Sequence, residues 1–222
     1  MCKKGYVRSM HSRRFGSGIL PSLQAGTIDF VAAPVTVTRE RAESYLFTEG
    51  YLDADFQFLT RKGEPAITDL RQFKDKVISV NKGSIFDSWA KGLESEIGWR
   101  VQSFAIQTDA VQAVVAGRAY ANVAASTVVQ WAVKLQPQLQ LSYLHSTGLV
   151  GAVPLRKDSK ELLGEIENAI ECIKKDGTMA VLHERWFGAK PAPGSAAANI
   201  FPGTGVPAMP GYDPTLREPQ CG

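Results

Sequence analysis

Strand-like and helix-like patterns alternate along the chain from Leu23 onward, with short turns between them, and this constrains the fold more than any other feature. Neighbouring parallel strands need a crossover long enough to hold a helix, so the pattern specifies an α/β architecture. A short apolar helix over 20–26 is stopped by Gly26, a buried strand over 28–35 follows, and Thr38 caps a polar helix over 40–45. An apolar strand over 56–60 leads out of this first unit into the turn-rich Lys62-Gly63-Glu64-Pro65.

A second α/β stretch reads as helix 68–73, strand 77–80, loop 81–84, helix 85–96 and strand 100–104. Thr108 or Asp109 can cap a helix over 111–115 that stops at Gly117, before strand 119–124 and helix 127–135. Strand 149–155 precedes a long helix with Leu162, Leu163, Ile166, Ala169, Ile170 and Ile173 on one stripe. Gly177 closes that helix, and Met179, Leu182 and Trp186 carry the stripe onto another that ends at Gly188. Residues 189–222 hold seven prolines and almost no periodicity, which predicts an extended or disordered tail.

The length of 222 residues suits one large α/β domain or two compact lobes. No apolar run approaches the roughly 18 residues of a membrane span. The net charge of +3 is misleading, since residues 1–18 carry five Lys and Arg and no acid, leaving −2 for the rest. Five charges without a reading helix or stacking aromatics do not make a nucleic-acid footprint. The same segment lacks the apolar centre of a secretory signal. Cys2, Cys172 and Cys221 show no metal or redox spacing, so no metal and no cofactor is expected. A bridge pinning the tail through Cys172 and Cys221 and two unpaired thiols both fit.

Three stretches together resemble the polar amino-acid-binding proteins of ABC importers. Leu23-Gln-Ala-Gly-Thr-Ile-Asp29 followed by Val35-Thr-Val-Thr-Arg-Glu-Arg41-Ala42 resembles the family's L-x-x-G-x-x-D and T-x-E-R-A segments. Gly117-Arg118-Ala119 resembles the start of G-R-x-D-A, and Leu155-Arg-Lys-Asp158 with Lys174-Lys-Asp-Gly-Thr178 and Arg185-Trp-Phe-Gly188 resembles its final helices. The resemblance implies a type II periplasmic-binding fold: lobe 1 from 19–60 and 149–188, lobe 2 from 61–148, a two-strand hinge, and the tail beyond. Crossings would fall near 58–61 and 149–155. Residues 1–18 match nothing in the family, so the expectation is an N-terminally truncated chain whose lobe 1 lacks its first strand–helix unit.

The resemblance also implies a site. Arg41 would fork onto a ligand carboxylate, a geometry that the planar guanidinium favours. Thr36 would add its hydroxyl and N–H, with Ala33 and Pro34 beside it. Gly83, Ser84 and Ile85 would close from lobe 2, where a helix start offers unpaired N–H groups. Alignment through Gly117 puts Ala125, with Ser126 next, where relatives hold an acid for the ligand's ammonium. That absent acid points to a ligand other than an ordinary α-amino acid, or to weaker neutralisation by Ser126 and carbonyls. Tyr120 replaces the acid of G-R-x-D and reads as a packed strand residue.

The implied function is capture of an amino acid or related small carboxylated solute by a monomeric, periplasmic, non-enzymatic receptor, which delivers it to an ABC transporter permease. His11, His145 and His183 form no nucleophile–base constellation. The alternatives on the same fold are a periplasmic dehydratase, which needs a general acid in the cleft, and the sensing domain of a receptor.

Overall fold

The computed structural model describes residues 18–222, and the basic N-terminal segment with His11 lies outside them. The first unit opens with α1 (Ile19–Gln24), β1 (Val35–Thr36), α2 (Arg39–Ser44), β2 (Leu46–Phe47) and β3 (Leu52–Asp53). The strand expected over 28–35 is not regular: Phe30 makes an isolated bridge to Leu155, and pairing starts only at Val35. An apolar run becomes a strand only where a neighbour supplies partners, and here that neighbour reaches only Val35 and Thr36.

The second unit is a five-stranded sheet. Its strands are β4 (Phe56–Arg61), β5 (Val77–Asn81), β6 (Arg100–Phe104), β7 (Ala121–Ala125) and β8 (Leu139–His145), in the order β6-β5-β7-β4-β8. Strand β5 runs parallel to β6 and β7, while β4 is antiparallel to β7 and β8. The strand expected to lead out of the first unit is therefore an inner strand of the five-stranded sheet.

Helices α3 (Ile85–Gly92) and α4 (Glu94–Ile97) replace the single helix expected over 85–96, with Leu93 as the joint. Helix α5 (Gln107–Val115) starts earlier than expected, with Ile106 at its cap instead of Thr108 or Asp109, and α6 (Ser126–Leu135) follows β7 without a break. Phe56, Phe58, Ile78, Val80, Ala121 and Val123 pack with Ala90 of α3 on one face, with Phe58 stacked on Phe73 at 4.6 Å. Leu59, Ala124 and Leu139 pack with Val111, Val114 and Val129 of α5 and α6 on the other. On that face the buried Ser79 hydroxyl donates to the Ala110 carbonyl at 2.8 Å, and Asn122 joins the Ser79 carbonyl to the Gln107 amide. Tyr120 packs near Phe73 in this unit, as expected, but it precedes β7 rather than lying on the strand.

The chain returns through β9 (Val150–Ala152) and β10 (Pro154–Leu155), which break the strand expected over 149–155 at Val153. Strand β9 lies between β1 and β3, and β10 pairs with β2. The close approach of Gly50 to β9 demands glycine, since a Cβ there would meet the Val150 side chain at 2.5 Å. The two crossings are bonded to each other: Ala54 N–H donates to the Leu149 carbonyl at 2.8 Å, and Asp55 accepts from the Thr147 N–H at 2.9 Å. Two paired segments are thus the covalent link between the units.

Helices α7 (Lys160–Lys175) and α8 (Thr178–Phe187) complete the first unit. Its buried residues include Glu167 and Glu171, which share the α7 face with Leu163 and Ile170. The tail explains them. It is irregular, as expected, but it is packed rather than disordered. Gly205 N–H donates to Glu167 at 2.7 Å, Phe201 N–H to Glu49 at 2.8 Å, and the Arg217 guanidinium to Glu171 at 3.0 Å. Val206 and Met209 cover Val37, Phe47 and Ala152. A Cys172–Cys221 disulfide spanning 49 residues ties its end to α7, which decides between bridge and free thiols.

Replacing both Cys172 and Cys221 with Ser should cost about 2–4 kcal/mol, because the unfolded chain regains the freedom of a long loop. Calorimetry should show the melting temperature lowered by roughly 5–15 °C, and an unchanged value would mean that the bridge does not hold the fold. Burial pushes Glu167 up to about 7 despite its two backbone N–H donors, with Glu49 and Glu171 adding repulsion. A carboxyl raised on folding stabilises fully below its unfolded value and loses that stability as pH rises through 7. The stability advantage of the native protein over Glu167→Gln should therefore be greatest below pH 4.5 and be lost as pH rises to about 7. A constant gap in denaturant titrations would refute this.

Candidate ligand-binding cleft

Arg41 is set in place by its own segment. Thr38, at the cap of α2, accepts the Arg41 N–H at 3.3 Å, and the guanidinium turns back to donate to the Thr36 carbonyl at 2.9 Å. Burial lowers the Arg41 pKa, although nearby Glu40 and Tyr45 oppose this. None of the ion pairs among the described residues uses Arg41, neither with Glu40 nor with Glu43. A half-buried guanidinium with one carbonyl partner keeps most of its five donors for something else. Thr36 lies on β1 opposite Gly151 of β9, Pro34 packs against Gly151, and Ala33 is half-buried beside it.

On the second unit, parallel pairing of β5 with β7 brings their carboxyl ends to one sheet edge. That edge carries Gly83, Ser84 and Ile85 after β5, and Ala125 at the end of β7, opposite Phe56. Ser84 caps α3, accepting the Asp87 N–H at 3.2 Å and donating to the Asn81 carbonyl at 2.7 Å. The expectation that the Gly83 N–H is offered to a ligand is corrected here: it donates to the Asp87 carboxylate at 2.9 Å. Burial alone would raise the Asp87 pKa, but bonds from Lys91, Gly83 and Ser103 outweigh it and hold the group below the usual carboxylate range. The Ile85 and Phe86 amides, in the first turn of α3, have no intrahelical acceptor.

Sequence reasoning missed Asp87, although Ser84-Ile-Phe-Asp87 has the spacing of a capping pair. It also missed a ring cluster on the same edge. His145 ends β8 with its ring 5.1 Å from Trp89, and Phe56 lies 4.7 Å from Phe86. Periodicity could not reveal this, because those residues come from three separate segments.

Ser126 stands apart from the other candidates. It lines a cavity of about 640 Å³ that includes Asp53, Asp55, Thr127, His183 and Ser195, and none of the Arg41 or Ser84 groups. Two further cavities of about 380 and 210 Å³, among the described residues, likewise lack Thr36, Arg41 and Gly83–Ile85. Arg41 and Thr36 thus belong to the first unit and Gly83, Ser84 and Ile85 to the second, and the paired crossings join the two. The His183 Nδ1–H donates to the Ala189 carbonyl at 2.6 Å, and its ring meets Phe187 edge-on at 4.9 Å, a structural role. No group of three or more His, Cys, Asp or Glu among the described residues could hold a metal.

The chain is similar to known proteins over most of its length. It is 30% identical over 177 residues to the L-cystine-binding protein TcyJ of Escherichia coli (strain K12), covering 78% of this chain and 65% of that one. The chain thus spans about two thirds of the length of the curated relatives it matches. A solved ancestral arginine-binding protein, bound to arginine, aligns with TM-score 0.69 and 34% identity over 77% of this chain and 76% of that chain. The ancestral amino acid-binding protein AncCDT-1, described as a precursor of cyclohexadienyl dehydratase, aligns with TM-score 0.66 and 30% identity over 77% of this chain and 74% of that chain. These likenesses show the type II periplasmic-binding fold, with two α/β lobes. The model of the bacterial extracellular solute-binding proteins, family 3, matches residues 11–189, and the chain belongs to that family.

Proposed function

We propose that this chain is the solute-binding component of an ABC importer, taking an amino acid or related small carboxylated solute between its two lobes and delivering it to a membrane permease. The observation that carries this reading is the Arg41 guanidinium: half-buried, fixed by the Thr36 carbonyl, and without a carboxylate partner among the described residues. A ligand carboxylate is the partner that its geometry fits. On the opposite edge, the first amides of α3 would meet that carboxylate on closure, while Ser84 and Asp87 hold the loop in shape and Gly83 supplies the turn. The lobe boundaries lie at the paired crossings, about 54–56 and 145–149, with 189–222 an integral part of lobe 1. The disulfide fits an oxidising compartment and therefore the periplasm or the cell exterior.

A dehydratase reading is less well supported. It requires a proton donor on the cleft edge, and Asp87, the buried acid there, is held ionised by its three partners. The relative whose name mentions such an enzyme is itself described as an amino acid-binding protein.

Arg41→Ala should weaken solute binding about ten- to hundred-fold while leaving the melting temperature of the free protein nearly unchanged, since a charge-assisted pair contributes roughly 1.5–3 kcal/mol. Calorimetric titration with the hits of an amino-acid and organic-acid thermal-shift screen measures this. Undiminished affinity would remove Arg41 from the site.

Ala125→Asp separates two kinds of ligand by the sign of its effect. A ligand with a free α-ammonium should bind more tightly, because a buried cation gains a partner. A ligand without one should bind more weakly, because the new carboxylate is desolvated beside an anion. Equal affinity for every hit would place position 125 outside the cleft.

A further inference from the structure

Part of the tail closes into a loop directly over the segment that carries Arg41. Thr204 and Asp213 bond to each other in both directions, N–H to carbonyl, at 2.8 and 3.0 Å, which ties together the ends of the stretch 205–212. Val206 and Met209 of this loop pack on the buried cluster of Val37, Ala42, Phe47 and Ala152. Its backbone comes so close to β2 that a Cβ at Gly205 would stand 3.1 Å from the Phe47 carbonyl oxygen. Ala208 takes a φ of 64°, a left-handed conformation that a Cβ disfavours, and its carbonyl accepts from the Arg39 guanidinium at 3.3 Å. Val37 precedes α2, Arg39 opens it, Ala42 lies within it and Phe47 follows it, so the loop meets the Arg41 helix along its length. A helix of six residues has too few internal bonds to hold itself, and its position depends on what packs against it.

The loop is fastened on both sides. Before it, the Asn199 carbonyl accepts from Lys174, and the Phe201 and Gly205 N–H groups donate to Glu49 and Glu167. After it, Arg217 is bonded to Glu171, Gln220 exchanges two bonds with Asn168, and Cys221 is bridged to Cys172. The partners after the loop all lie on α7, and the bridge is the covalent fastening among them, with Cys221 exposed. With Arg41 read as the residue that takes the solute carboxylate, a reading on which this inference rests, we propose that loop 205–212 is a clamp that positions the Arg41 helix, and that the Cys172–Cys221 bridge makes solute binding responsive to small thiols. Two thiol molecules supply two protons and two electrons: the sulfur–sulfur bond breaks, each cysteine becomes a thiol, and the reductant leaves as its own disulfide. The end of the tail is then held by Arg217 and Gln220 alone, the loop opens more often, and α2 loses the surface that fixes it.

The experiment compares the oxidised protein with the same protein in dithiothreitol. Amide hydrogen exchange by NMR follows Val37, Ala42 and Tyr45, whose N–H groups are bonded to the Val150, Thr38 and Arg41 carbonyls at 2.9 Å each. Solute binding is followed as the rise in melting temperature caused by an equimolar pool of the common amino acids other than cysteine. Reduction should speed exchange at the three amides about tenfold, leave Ile78 and Val80 of β5 unchanged, and diminish the rise caused by the pool. Met209→Ala should do the same without reductant, Met209→Leu should not, and a protein carrying both Cys172→Ser and Cys221→Ser should ignore dithiothreitol. Unchanged exchange at the three amides, equal acceleration in β5, or a pool effect that is the same before and after reduction, zero included, would each overturn the proposal. Exchange needs no solute, so failure of the clamp is distinct from failure of the Arg41 reading, which shows as a pool effect that survives Arg41→Ala.

Discussion

The ion pair between Glu49 and Lys174 is the constraint on which the first lobe depends. Both side chains are 1% exposed, and their charged groups lie 2.7 Å apart. Removing two charges from water costs several kcal/mol each, recovered only where every remaining donor and acceptor is used. An ammonium has three donors, and Lys174 has three partners: Glu49, the Gly50 carbonyl and the Asn199 carbonyl. Glu49 in turn accepts the Phe201 N–H, its own N–H donates to Glu167, and Glu167 accepts the Gly205 N–H. Arg217 lies 3.0 Å from Glu171 and 3.9 Å from Glu167. Asn199, Phe201, Gly205 and Arg217 all belong to the tail. Without it, three buried carboxylates and an ammonium would each lose a partner, so 189–222 is part of the lobe's interior chemistry.

Single elements of both lobes were legible because their information is local. Strand β6 and the apolar stripe of α7 follow from periodicity alone, and Gly117 and Gly177 adopt the positive φ that ends a helix. The failures share a physical cause. Whether 28–35 forms a strand depends on a neighbour contributed by β9, more than a hundred residues away. Proline and glycine content predicts an irregular backbone, and in the tail that is correct, but it says nothing about hydrogen bonds to buried acids or about Ala196 and Ala197 being buried. A signal was present in α7, where Glu167 and Glu171 share a face with Leu163 and Ile170 next to Cys172.

For the site, the single-segment parts were readable and the assembly was not. Thr36, Thr38 and Arg41 organise one another within six residues. The loop before α3 was placed correctly, but the use of its Gly83 N–H depended on the side chain of Asp87, and the ring cluster on Phe56, Trp89 and His145 meeting across the sheet. How far apart the two halves stand is a property of the paired crossings, which no residue pattern encodes.

The end of β7 shows how little separates one solute chemistry from another. Side chains alternate along a strand, so Ala125, the last residue of β7, shares the face of Ala121 and Val123, while Ala124 packs on the face of α5 and α6. On the proposed reading, the cleft is given a methyl group at a position where a carboxylate would neutralise an ammonium. Asp53 and Asp55, on the first crossing, line the cavity that also includes Ser126, and the Asp87 carboxylate is taken up by Gly83, Ser103 and Lys91. Coulomb attraction falls with distance and is further screened by solvent, so these acids cannot replace a partner in direct contact within the cleft. On the reading proposed above, recognition in the cleft rests on the carboxylate end of the solute, at Arg41, and a ligand ammonium would find no acid at position 125.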